Sequence, residues 1–271
     1  MDRQGLLHVS DHRILVVLPT LGDRLDSLAE TLVSVDRQRS QVDLTLVVVA
    51  PPHAAAARRL AQTFGARLVD DPCRGISHAI NLGIRSATDE TYYAWIGDDD
   101  LFRPNGLVTL RSTIEKVPGA VLAYGGCDYI DHAGRTIFTN RAGSLAKWLL
   151  PWGPNLIPHP GSLIRLDAMR AEGLFDVDLK FAMDLDLFLK IRSYGSFAST
   201  RSSVSAFRWH PGSLTVSNRR ASSAEAKAIK VRHLPPSLRP FSSIWNFPVQ
   251  VAAANAARSV SRRARHLEQH R

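Results

Sequence analysis

Residues 14–18 are Ile-Leu-Val-Val-Leu, five apolar side chains in unbroken succession. A strand with one wet face alternates apolar and polar residues; a short continuous run needs cover on both faces, which is the condition of a strand inside a parallel sheet sandwiched by helices. The run ends at the turn Pro19-Thr20-Leu21-Gly22, after which Leu25, Leu28, Leu32 and Val35 recur at helical spacing, so residues 23–38 are predicted as an amphipathic helix. Residues 44–49 repeat the strand signal and the Ala- and Arg-rich residues 53–64 the helical one. A third strand at 66–69, a helix at 76–86, a strand at 92–96 and a helix at 104–116 extend the alternation, which is the βαβ pattern of an α/β fold with a mostly parallel sheet. A further strand is expected at 120–124, and His132-Ala133-Gly134-Arg135 reads as a hairpin turn. Prolines 151, 154, 158 and 160 with Trp148 and Trp152 mark an irregular stretch suited to one wall of a cleft.

The strand at 92–96 carries the chemistry. It ends on Gly97 followed by Asp98, Asp99 and Asp100. Three adjacent carboxylates repel one another unless water, a basic partner or a hard divalent cation neutralises them. The C-terminal end of a strand in an open α/β sheet is also where ligands bind. The position points to a metal and a phosphate-bearing substrate; the plainer reading is a solvated acidic turn before the next helix.

With 271 residues and 45% hydrophobic content, the chain can bury a sizeable core. Cys73 and Cys127 are too few for a disulfide framework or a thiolate metal cluster, so a reducing, cytoplasmic setting is expected. No apolar stretch is long enough to span a bilayer. The net charge of +9 is unevenly placed: residues 219–271 hold 11 of the 34 Lys and Arg but 2 of the 25 Asp and Glu. The body is neutral, which argues against nucleic acid as a partner, whereas the tail is suited to an anionic surface such as the inner face of a membrane. Within the tail, Trp245 and Phe247 precede Arg258, Arg262, Arg263 and Arg265, an apolar part followed by a basic one. A merely solvated basic extension fits the same composition.

Four short motifs occur in order: Pro19-Thr20 after the first strand, Arg74-Gly75-Ile76-Ser77-His78-Ala79-Ile80-Asn81-Leu82-Gly83, Gly97-Asp98-Asp99-Asp100-Leu101-Phe102, and Met183-Asp184-Leu185-Asp186-Leu187-Phe188-Leu189. Together they resemble the family 2 glycosyltransferases of GT-A fold, over residues 13–217, with residues 218–271 as a separate basic tail. The resemblance implies Mg2+ or Mn2+ bridging the diphosphate of a nucleoside diphosphate sugar, with Asp99 as the first ligand and Asp98 and Asp100 beside it for the ribose or the ion. It also implies that Asp184 takes the proton from a hydroxyl acceptor as that oxygen attacks the anomeric carbon with inversion. His210 matches a histidine that meets metal or diphosphate, and His159 is placed with Trp152 on the side of a glycan or lipid-linked acceptor. Pro19, Thr20, Leu21 and Arg24 are set against base and ribose, and Arg74 against phosphates or base. The chain departs from the family at Ala50-Pro51-Pro52, where an Asp-Asp-Gly-Ser type of turn is common, so the base of the donor stays open. Asp186 reads as structural. The resemblance suggests cell-envelope glycan or glycolipid assembly. A nucleotidyltransferase and a non-catalytic polybasic adaptor are the competing readings, the first weakened by the lack of a Gly-rich phosphate loop.

Overall fold

Strand β1 (Ile14–Pro19) divides its side chains between two cores. Leu15 and Val17 enter one apolar cluster, while Ile14, Val16 and Leu18 enter the other. Strand β2 (Leu44–Ala50) does the same, with Val47 and Val49 on one side and Leu46, Val48 and Ala50 on the other. This double burial, worth roughly 1.5–3 kcal/mol per large side chain, is what the unbroken apolar run of β1 and the run of β2, interrupted only at Thr45, required. The structure is a computed structural model and describes residues 12–141, 143–209 and 218–241.

The first half is regular. Helices α1 (Leu25–Asp36), α2 (Ala55–Thr63) and α3 (Ile76–Arg85) alternate with β1, β2, β3 (Arg67–Asp70) and β4 (Tyr92–Trp95). β3, β2, β1 and β4 lie side by side in that order and all pair in parallel. Short strand β5 (Leu101–Phe102) and α4 (Gly106–Glu115) follow, then the long β6 (Ala120–Ile130), whose hairpin partner is β7 (Thr136–Asn140). After α5 (Leu145–Leu149) come β8 (Ser162–Arg165), α6 (Leu166–Ala171), α7 (Met183–Ile191), β9 (Ser196–Arg208) and α8 (Arg219–His233). The second half of the sheet mixes directions: β8 runs antiparallel to both β4 and β6, and β5 antiparallel to β9, whereas β6 and β9 are parallel.

Helices α1, α2 and α4 cover one face of the sheet, and α3, α6 and α7 the other. Ile229 of α8 joins the second core. Residues 218–241, read from sequence as the start of a tail, are therefore packed onto the α/β body at this helix. Gly83 lets α3 lie close on the sheet, since a Cβ there would stand 2.5 Å from Val17 Cγ1. Gly75, at φ +103°, makes the turn into α3 in a conformation other residues rarely adopt. From β1 the chain steps outward to β2 and β3, and α3 then carries it back to β4 on the other side of β1, so the carboxyl ends of β1 and β4 meet at the topological switch point.

Candidate active site

Thr20 stands on one side of this switch point and the acidic triplet on the other. Parallel pairing aligns Val17 with Trp95, which sets the turns after the two strands next to each other. Thr20 Oγ1 donates to Asp98 Oδ2 at 2.6 Å and accepts from the Gly22 amide at 3.0 Å, fixing the turn after β1. Arg24, at the start of α1, donates to Asp98 Oδ1 at 2.6 Å and also to Asp99 Oδ2. Thus the basic partner that three adjacent carboxylates require is within the chain, and its side chain is 42% exposed.

The three aspartates differ in environment. Asp98 is buried, and burial raises its carboxyl above the ordinary range although Thr20 and Arg24 pull the other way. Asp100 is 1% exposed and accepts the Arg208 amide at 3.0 Å. Burial, then the neighbouring Asp99 charge, pushes it up to about 8. Through the Arg208 amide, Asp100 ties the end of β9 to the acidic turn. Arg208 completes that tie with bonds to the Asp99, Asp131 and His132 carbonyls and to Glu30. Leu21 and Arg74 are exposed, and Pro19 is half-buried at the end of β1.

Asp184 stands in the first turn of α7, where the positive end of the helix favours a carboxylate. Asn155 donates to its Oδ2 at 3.1 Å, and the Leu185 amide to its Oδ1 at 2.7 Å. Burial nevertheless dominates and pushes the carboxyl up to about 6. The α3 motif braces the same region: Ser77 Oγ donates to the Leu179 carbonyl at 3.1 Å and Asn81 exchanges bonds with the Phe175 backbone. That contact also brings the Arg74 turn beside the start of α7, since Ser77 Oγ lies 2.8 Å from Met183 Sδ.

Side chains not anticipated from sequence hold α7 from behind. Glu225 of α8 accepts the amides of Lys180, Phe181 and Ala182 at 3.1, 2.7 and 2.7 Å, capping α7 from another helix. Asp186, 1% exposed, pairs with Lys190 and His233 at 2.8 Å and Arg232 at 2.5 Å. Burial would raise its carboxyl, but the bonds from His233, Lys190 and Arg232 outweigh burial and hold it well below the ordinary range. Its structural reading is in keeping with this network.

His159 is enclosed among aromatic rings. Its ring stacks on Trp95 at 4.4 Å and is hemmed in by Tyr93, Phe175 and Phe188. Burial drives its pKa down to about 3, so the imidazole is neutral where it packs against β4. Trp152 is 40% exposed. His210 lies outside the described residues.

No family model matches the chain. Uncharacterized glycosyltransferases of Rickettsia typhi and Rickettsia prowazekii are 29% and 28% identical to it over 123 residues. The match takes in 43% of this chain and spans only 38% of the length of those relatives. Among solved structures, the mannosyltransferase PcManGT of Pyrobaculum calidifontis, in complex with GDP-Man and Mn2+, superposes with a TM-score of 0.62 at 19% identity, covering 91% of this chain and 75% of that one. S. aureus TarS 1-349 in complex with UDP-GlcNAc gives 0.63 at 12% identity, covering 84% and 69%. The fold is therefore the α/β class of GT-A glycosyltransferases. Within that class, relatives and neighbours agree with the family 2 resemblance carried by the four motifs.

Proposed function

We propose that the chain is an inverting glycosyltransferase that moves a sugar from a nucleoside diphosphate sugar to a hydroxyl acceptor, with Asp184 as general base. The observation that carries the reading is the joining of Thr20, Arg24, Asp98 and Asp99 at the switch point of a glycosyltransferase fold whose solved neighbours hold UDP-GlcNAc or GDP-Man.

Donor recognition falls to the switch point: Pro19, Thr20 and Leu21 against base and ribose, Asp98 toward the ribose, and Arg74 toward the phosphates. Mg2+ or Mn2+ is the proposed cofactor. Among the described residues no group of three or more His, Cys, Asp and Glu could cage an ion. Asp99, its side chain 14% exposed, would hold the ion, an oxygen ligand of the kind a hard cation takes. When bound there, the ion supplies charge neutralisation for the departing diphosphate. Arg24 must yield Asp99 for this, and its exposed side chain has room to turn.

Asp184 does the proton work. A base of pKa about 6 is ionised at neutral pH yet strong enough to draw the acceptor hydroxyl proton as the C–O bond forms. Asn155 and the Leu185 amide fix the direction of its oxygens. A glycan or lipid-linked acceptor of cell-envelope assembly suits the family resemblance, and the basic residues 242–271, outside the described residues, suit contact with an anionic membrane from the cytoplasmic side.

The test is transfer by the Asp184→Asn protein. Loss of transfer by 100-fold or more, on the order expected for removal of a general base, with nucleotide binding unchanged is the expected result; a full transfer rate would refute the base. Release of pyrophosphate from a nucleoside triphosphate would favour a nucleotidyltransferase instead.

A further inference from the structure

Four large apolar side chains lie exposed on one short stretch: Leu145 at 66%, Trp148 at 68%, Leu149 at 38% and Trp152 at 40%. They recur at i, i+3, i+4 and i+7, one stripe along α5 and the turn that extends it, where the Trp152 amide still bonds to the Leu149 carbonyl. The opposite side of the same helix is core: Ala146 and Leu150 are fully buried. The stripe is thus the outer face of a firmly seated element.

Charge selects what covers it. Residues 132–166 contain no Asp or Glu. Exposed Arg141 lies just before α5, and exposed Arg201 of β9 stands beside Gly143. Trp beside Leu with Arg at the rim is the composition of an interfacial helix, with indoles at headgroup depth and guanidinium groups on lipid phosphate. A platform for a soluble sugar uses aromatic faces and polar groups; Leu145 and Leu149 offer a sugar nothing.

Position supplies the use. Three residues past Trp152, Asn155 holds Asp184. We propose that the α5 stripe docks the protein on an anionic bilayer and so presents a lipid-linked acceptor, its hydroxyl at headgroup level, to Asp184. The acceptor half rests on the glycosyltransferase reading; the docking half does not.

The experiment is co-sedimentation of the full chain with phosphatidylcholine vesicles, with and without phosphatidylglycerol. Binding should need phosphatidylglycerol and weaken with salt, and Leu145→Gln/Leu149→Gln should weaken it about tenfold or more. In a Trp245→Phe background, which removes the tail indole, brominated lipid should quench fluorescence, and a further Trp148→Phe should reduce that quenching. Unchanged vesicle binding by the double Gln variant would overturn the proposal in favour of the tail alone, and shielding of Trp148 by a soluble oligosaccharide without vesicle binding would overturn it in favour of a sugar platform. Thermal stabilisation by nucleoside diphosphates, run on the same proteins, separates the two readings. It should survive the Gln substitutions, and its absence in the unsubstituted protein would remove the acceptor half while leaving docking to the vesicle result.

Discussion

The Asn155 side-chain amide donates a 3.1 Å hydrogen bond to Asp184 Oδ2 across 29 residues of sequence. A donor on the ionised carboxylate favours that form, so Asn155 works against the burial that raises Asp184 to about 6. Removing it in Asn155→Ala should move the acid limb of the pH–rate profile to higher pH, with activity falling more at pH 6 than at pH 8. An unmoved acid limb in that profile would mean that Asn155 does not tune the base.

Glu225 offers the same kind of leverage on stability. It caps the start of α7 with one carboxylate over three amides, and α7 has no side-chain cap of its own. Glu225→Ala should cost about 1–2 kcal/mol in denaturant unfolding. It should also reduce activity by loosening the helix that carries Asp184. A loss of activity with full stability would instead place Glu225 nearer the chemistry.

Arg24 neutralises Asp98 and Asp99 from an exposed position. Replacing it with Gln leaves the partly buried pair uncompensated, so Arg24→Gln should be less stable than the parent in EDTA. Added Mn2+ should raise its melting temperature more than that of the parent, since an ion bound only by the folded state stabilises by mass action. Equal responses in the two proteins would show that arginine and cation do not share the site.

His159 predicts a pH dependence of stability. Its folded pKa is depressed to about 3, while in the unfolded chain it titrates near the ordinary value of 6.5. Between those values the unfolded chain takes up the proton and the folded one does not, so stability is full above about pH 6.5 and falls by up to roughly 1.4 kcal/mol per unit as pH drops. His159→Phe should flatten that slope and leave transfer activity near the parent value. A selective loss of acceptor affinity in His159→Phe would place it on the acceptor side.

How legible the protein was depended on whether a signal is local. The apolar runs at 14–18 and 44–49 and the helical spacing of Leu25 to Val35 give the parallel half directly, because burial on two faces leaves a pattern in adjacent residues. The acidic turn was legible for the same reason: like charges side by side demand an explanation. The mixed half was less so, since the antiparallel pairing of β8 with β4 joins Tyr92 to Arg165 without a turn motif to announce it. Glu225, Arg232 and His233 act on α7 from more than forty residues away. Nothing beside them in sequence marks them, and the charge of Arg232 was counted into the tail. The burial of His159 was not legible because a His-Pro-Gly-Ser turn looks like surface, and only the ring of aromatic neighbours shows its enclosure.

The most direct test of a nucleotide-sugar site at Asp98 and Asp99 is thermal denaturation against a panel of nucleoside diphosphates, their sugars and the corresponding triphosphates, each with Mn2+, with Mg2+ and with EDTA. Stabilisation by one diphosphate and its sugar, dependent on the metal and abolished in Asp99→Asn, is the predicted result and would identify the base of the donor. No shift with any nucleotide, or an unchanged shift in Asp99→Asn, would contradict it.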